Sequence, residues 1–116
     1  MDLTVMVYEL TSEFPKHELY GLSSQMRRAA VSTASNLAEG SARASRKDFR
    51  QFVIIARGSN CELQTQLMIA ARLGYCTEAR FQDVERNAAE IGRMLNGLSA
   101  YLKAKPPSST SLTINN

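Results

Sequence analysis

From Phe81 to Leu102 the apolar residues Phe81, Val84, Ala88, Ile91, Leu95, Leu98 and Leu102 recur at alternating steps of three and four without a gap. A strand places every second residue on one face, so this rhythm describes an α-helix with a single apolar seam. Such a helix draws its stability from packing that seam against other helices. The rest of the chain has to supply the partners.

Three further segments do so. Leu3, Val7, Leu10 and Phe14 step by four, three and four, and Pro15 ends this first helix because the residue before a proline avoids the α conformation. A second helical run spans about Leu19 to Glu39, with Leu22, Met26, Ala29, Thr33 and Leu37 on one side and Gly40 as its closing C′ residue. After the loop "SARAS", Ser45 is suited to cap a third helix, with Asp48 in a capping-box-like position. That helix runs to Leu73 and stops at Gly74, a length of roughly 42 Å at 1.5 Å per residue. Thr77 caps the fourth helix, and Glu78 follows in the dipole-favourable first turn.

No segment alternates with period two, and short connections make neighbouring helices antiparallel. The expected fold is all-α, an up-and-down antiparallel four-helix bundle over residues 1–104. Residues 105–116, "KPPSSTSLTINN", are aperiodic and rich in Pro, Ser and Thr, and are expected to form a disordered tail.

The third helix carries more apolar surface than one chain can cover. Phe49, Phe52, Ala56, Leu63, Leu67 and Ala70 make its core stripe, while Ile54, Cys61 and Met68 repeat on another face and Ile55 and Ile69 on a third. A helix apolar on several sides is buried on several sides. The expectation is a homo-oligomer, a closed ring or symmetric dimer, with Ile54, Cys61 and Met68 at the interface. The second helix adds a polar face of Gln25, Arg28, Ser32, Asn36 and Glu39, and the core rhythm of the third lapses near Ser59, Asn60 and Glu62. Polar groups at bundle depth must satisfy one another, so Arg28, Asn36 and Glu62 are expected to share a hydrogen-bonded layer that fixes register.

Few catalytic or metal-binding chemistries are open to such a chain. Cys61 and Cys76 stand without a CxxC pattern or a nearby histidine, so both read as reduced, small core residues, and no metal or other cofactor is expected. His17, beside Pro15 and Lys16, is expected in a solvated turn. No nucleophile, base and orienting group come together, which argues against an enzyme and against a small-molecule substrate. The start, "MDLTVMVYEL", lacks a basic n-region, and no apolar run approaches a membrane span; the expected location is the cytoplasm.

Charge is unevenly placed. The net charge is only +3, yet Arg27, Arg28, Arg43, Arg46, Lys47, Arg50 and Arg57 meet just Glu39 and Asp48 in the same stretch. That asymmetry points to an anionic partner, RNA or DNA, with Arg27, Arg43, Arg46, Lys47, Arg50 and Arg57 as candidate contacts. No helix-turn-helix, RRM or KH signature accompanies them, and no exposed aromatic is interleaved with them for base stacking. Binding would therefore run through the phosphate backbone and depend on salt. The competing reading is an adaptor oligomer for a protein partner, its arginines paired across subunits with Glu62, Glu85 or Glu90.

The segments "QMRRAAVSTASNLAEG" and "RASRKDFRQFVIIARGSNCELQTQLMIAARLGY" strongly resemble the bacterial four-helix bundle family called the 23S rRNA intervening-sequence protein or S23 family. The resemblance extends from about Val7 to Leu102 and includes the accessory variability determinant of diversity-generating retroelements, a similar pentamer that binds nucleic acid. It implies a bundle, pentamers and no enzymatic activity. Its motif positions fall on Gln25, Arg27, Arg28, Ser32, Asn36, Glu39, Gly40, Arg43, Ser59 and Glu62. Thr33-Ala34 stands where relatives often read Ile-Pro, which implies a straighter second helix here.

Overall fold

Local capping chemistry fixes where the long helices begin and end. Ser45 Oγ accepts the Asp48 amide at 3.0 Å, Thr77 Oγ1 accepts the Arg80 amide at 3.2 Å, and Gly74 takes a left-handed φ of 76° after the third helix. A computed structural model describes residues 2–104. It comprises α1 (Asp2–Thr11), a one-turn 3-10 helix (Lys16–Glu18), α2 (Leu22–Ser41), α3 (Arg46–Arg72) and α4 (Glu78–Lys103). Among the described residues there is no strand. The expected tail, 105–116, lies outside them.

Each helix packs on its sequence neighbour, and α1 closes the square against α4, so α1 and α3 lie on one diagonal and α2 and α4 on the other. Two apolar clusters fill the interior. In the first, Leu3, Val7 and Leu10 of α1 meet Met26, Leu63 and Leu67; in the second, Val53, Ala56, Leu95 and Leu102 pack with Leu37 and Phe49. With 10 residues against the 27 of α3, α1 contributes to the first cluster alone. The other half of the bundle is built from three helices.

Four sequence expectations need correction. The second helix starts at Leu22 rather than Leu19, because Glu18 Oε1 accepts the Leu22 amide at 3.1 Å and residues 19–21 form the approach to that cap. Gly40 does not close α2; it is buried inside the helix, where a Cβ would lie 2.6 Å from the Phe52 Cβ. Its role is the close approach of α2 to α3. Phe49 and Phe52 are half-buried on that seam, and Val53 takes the central position. Cys61 is exposed rather than a core residue, while Cys76 is half-buried; both are free thiols.

Glu18 ties the far end of the bundle together. Its second oxygen accepts the Tyr75 hydroxyl at 2.9 Å, linking the α1–α2 connection to the α3–α4 turn. The Leu22 amide first, then the Tyr75 hydroxyl and His17, hold the Glu18 carboxyl below its usual range. A carboxyl with a lowered native pKa contributes stability above its unfolded pKa and loses it as pH falls through the native one. The gap in urea midpoint between wild type and Glu18→Gln should thus be largest near neutrality and shrink in strong acid. A gap independent of pH would contradict this role.

Candidate nucleic-acid interface

Antiparallel packing brings the start of α3 beside the end of α4. Arg46 lies in the first turn of α3, and its Nη2 donates to the Tyr101 carbonyl and, at 3.1 Å, to the Ala104 carbonyl. The last carbonyls of a helix lack intrahelical partners and carry partial negative charge, which a guanidinium satisfies on both counts. Arg50 Nε donates to the Ser99 carbonyl at 3.1 Å, and Arg57 Nη1 reaches Asn96 Oδ1 at 3.5 Å. The three arginines share one flank of α3 and lace it to α4.

Three other cations stand clear of that lacing. Arg43, just past α2, pairs with Glu39 at 3.0 Å and lies 4.8 Å over the Phe52 ring. Lys47 is exposed, with no side-chain hydrogen bond or ion pair among the described residues. Lys103 arrives at the same end from the last turn of α4. Arg43, Arg46, Lys47, Arg50 and Lys103 thus share one end of the bundle, against Glu39 and Asp48. A guanidinium has five N–H donors, so the laced arginines keep both charge and free donors.

Arg27 is not part of this end. Its Nε donates to Thr11 Oγ1 at 2.8 Å and its guanidinium lies 5.0 Å over Tyr8, on the seam between α1 and α2.

The expected polar layer forms with a different membership. Ser32 and Ser59 hydroxyls meet at 2.8 Å across α2 and α3, and Asn36 Nδ2 donates to the Ser32 carbonyl at 2.8 Å and its Oγ at 3.1 Å. Asn60, 1 % exposed, donates to the Ala88 carbonyl at 2.9 Å. Gln25, Arg28, Glu39 and Glu62 are exposed on the single chain and do not enter this layer. Long charged side chains on the flank of a helix keep their hydration by reaching outward, which costs less than burial. Arg28 and Glu62, with Gln25 and Gln66, line a groove of about 360 Å³ outside the layer. Gln66 is itself buried, and its Oε1 has no partner among the described residues.

One chain leaves the other faces of α3 open. Ile54 is half-buried, Cys61 exposed and Met68 50 % exposed, while Ile55 and Ile69 remain 51 % and 46 % exposed. No helix among the described residues is long and apolar enough to cross a membrane, and no three metal-ligating side chains converge among them.

A family model described as 23S rRNA-intervening sequence protein matches residues 1–97. Among solved structures, a protein of unknown function from the S23 ribosomal protein family of Bacteroides thetaiotaomicron VPI-5482 superposes with a TM-score of 0.76 at 22 % identity, over 84 % of this chain and 92 % of that one. At that identity the likeness establishes the bundle and nothing finer. No curated protein matches the chain.

Proposed function

As the chain belongs to the 23S rRNA-intervening sequence protein family, we propose that it is a non-enzymatic oligomeric bundle of the cytoplasm that binds nucleic acid, RNA foremost, through its basic end. The observation that carries this reading is the gathering of Arg43, Arg46, Lys47, Arg50 and Lys103 from three segments of the chain onto one end of the bundle. Arginine offers paired donors to phosphate oxygens, and the first-turn amides of α3 that Ser45 does not cap favour the same anion. Base-edge readout plays little part, so affinity follows phosphate contacts.

Oligomerisation is the second element of the proposal. The uncovered Ile55, Met68 and Ile69 support assembly of identical copies, with Ile54, Cys61 and Met68 between them, and the resemblance in sequence to the accessory variability determinant of diversity-generating retroelements would imply five. A ring multiplies a modest basic site into a multivalent belt. Arg28 and Glu62, opposite charges in one groove that are unpaired among the described residues, favour a second reading in which ion pairs between copies serve a protein partner. In that reading Arg46, Arg50 and Arg57 would take part only through the donors that their lacing to α4 leaves free.

Anisotropy titration of a labelled single-stranded RNA tests the reading. Binding is expected at low salt and should weaken by an order of magnitude or more on a several-fold salt increase. Undetectable binding at low salt, with sedimentation still giving an oligomer, would favour the adaptor instead.

A further inference from the structure

Sequence order hides an aromatic among the arginines. Tyr101 is 55 positions from Arg46, yet the packing of α4 on α3 sets the Arg46 guanidinium 4.6 Å from its ring centroid. Tyr101 nevertheless remains 64 % exposed. A ring has two faces, and the guanidinium occupies one.

We propose that Tyr101 is a stacking platform for an unpaired nucleobase, so that this protein prefers single-stranded nucleic acid to duplex. The inference rests on the nucleic-acid reading above and adds the feature that selects among its ligands. Aromatic side chains beside cations bind single strands because every base has a π-face, while a paired base in a duplex hides its own. Phosphate contacts alone work the other way, because a duplex carries the denser charge.

Three features fit Tyr101 to the task. Arg46 bonds the Tyr101 and Ala104 carbonyls, which holds the last turn of α4 in place where a helix end would otherwise fray. A ring fixed before binding costs less entropy to use. A base on the open face completes a stack of base, tyrosine and guanidinium, in which the cation attracts the ring electrostatically. Lys47, the residue after Arg46, is exposed and free of side-chain partners among the described residues, and is available to a phosphate of the bound strand.

The other exposed tyrosines lack this combination. Tyr20 is 93 % exposed with no cation over its ring among the described residues, and Tyr8 faces Arg27 away from the basic end. Tyr20 therefore serves as a control.

The test uses the full chain, a fluorescein-labelled 12-nucleotide uridine RNA, and the same strand paired with its complement, at one low salt concentration. Wild type should bind the single strand about tenfold more tightly than the duplex, a difference of the size stacking of one base supplies. Tyr101→Ala and Tyr101→Leu should abolish that preference by weakening the single strand alone. Tyr101→Phe and Tyr20→Ala should preserve it. Melting curves that coincide with wild type confirm that the variants are folded, as expected for a side chain so exposed. Unchanged single-strand affinity in Tyr101→Ala, with both ligands still bound, would overturn the platform and leave the phosphate reading standing. Failure of wild type to bind either ligand would overturn both.

Discussion

Replacing Gly40 with alanine should destabilise the protein, against the usual direction of that substitution. Alanine gains about 1 kcal/mol over glycine inside a helix. Here its Cβ would sit 2.6 Å from the Phe52 Cβ and 3.3 Å from the Phe49 carbonyl oxygen. Neither is the flexible end of a side chain, so α2 and α3 must separate, at a cost of about 1–3 kcal/mol for overpacking. Set against the helix-propensity gain, the net expectation is a loss of up to about 2 kcal/mol, seen as several degrees in a thermal melt followed by circular dichroism. Valine should do worse, and because Arg43 lies over Phe52, the basic end should shift with the seam. Gly97 supplies the contrast: it lies in α4 with nothing within 4 Å of an added Cβ. Gly97→Ala should therefore gain roughly 0.5–1 kcal/mol. Two glycine variants that rise together would contradict the close seam.

Leu95→Ala should be costlier still. Leu95 is 0 % exposed in the half of the bundle that α1 does not reach, so three helices alone seal it. Truncating a buried leucine costs about 2–5 kcal/mol through lost transfer energy and the cavity left behind. Domains have only about 5–15 kcal/mol to lose. The urea midpoint should fall by roughly a third at the middle of both ranges, whereas Leu98→Ala, at a half-buried position on the same helix, should cost far less. Equal losses at the two sites would mean that α4 is not oriented as described.

What could be read from sequence was whatever is local. The seam on α4, the Ser45 and Thr77 caps and the Gly74 stop are each set by residues within a turn or two of one another, and all four stand in the fold. Gly40 reads as a closing residue in sequence because a glycine closing a helix and a glycine admitting a neighbouring helix look alike until the neighbour is in place. The same limit applies to the site. Periodicity located the basic residues on α3, but Arg46 meets Tyr101 only through tertiary packing, so the stacking ring could not be found by scanning near the arginines. Arg28 and Glu62 had the spacing for the polar layer, yet Ser32 and Ser59, with shorter side chains, close it without them.

The salt dependence of RNA binding examines the basic end most directly. A plot of the logarithm of affinity against the logarithm of salt concentration should fall linearly for wild type, since each neutralised phosphate releases counterion. For Arg43→Ala/Lys47→Ala, which keeps the Arg46 and Arg50 lacing to α4 intact, the slope should flatten by about 0.7 per lost single-strand contact. Parallel lines for the two proteins, or affinity indifferent to salt, would contradict a phosphate contact surface at this end.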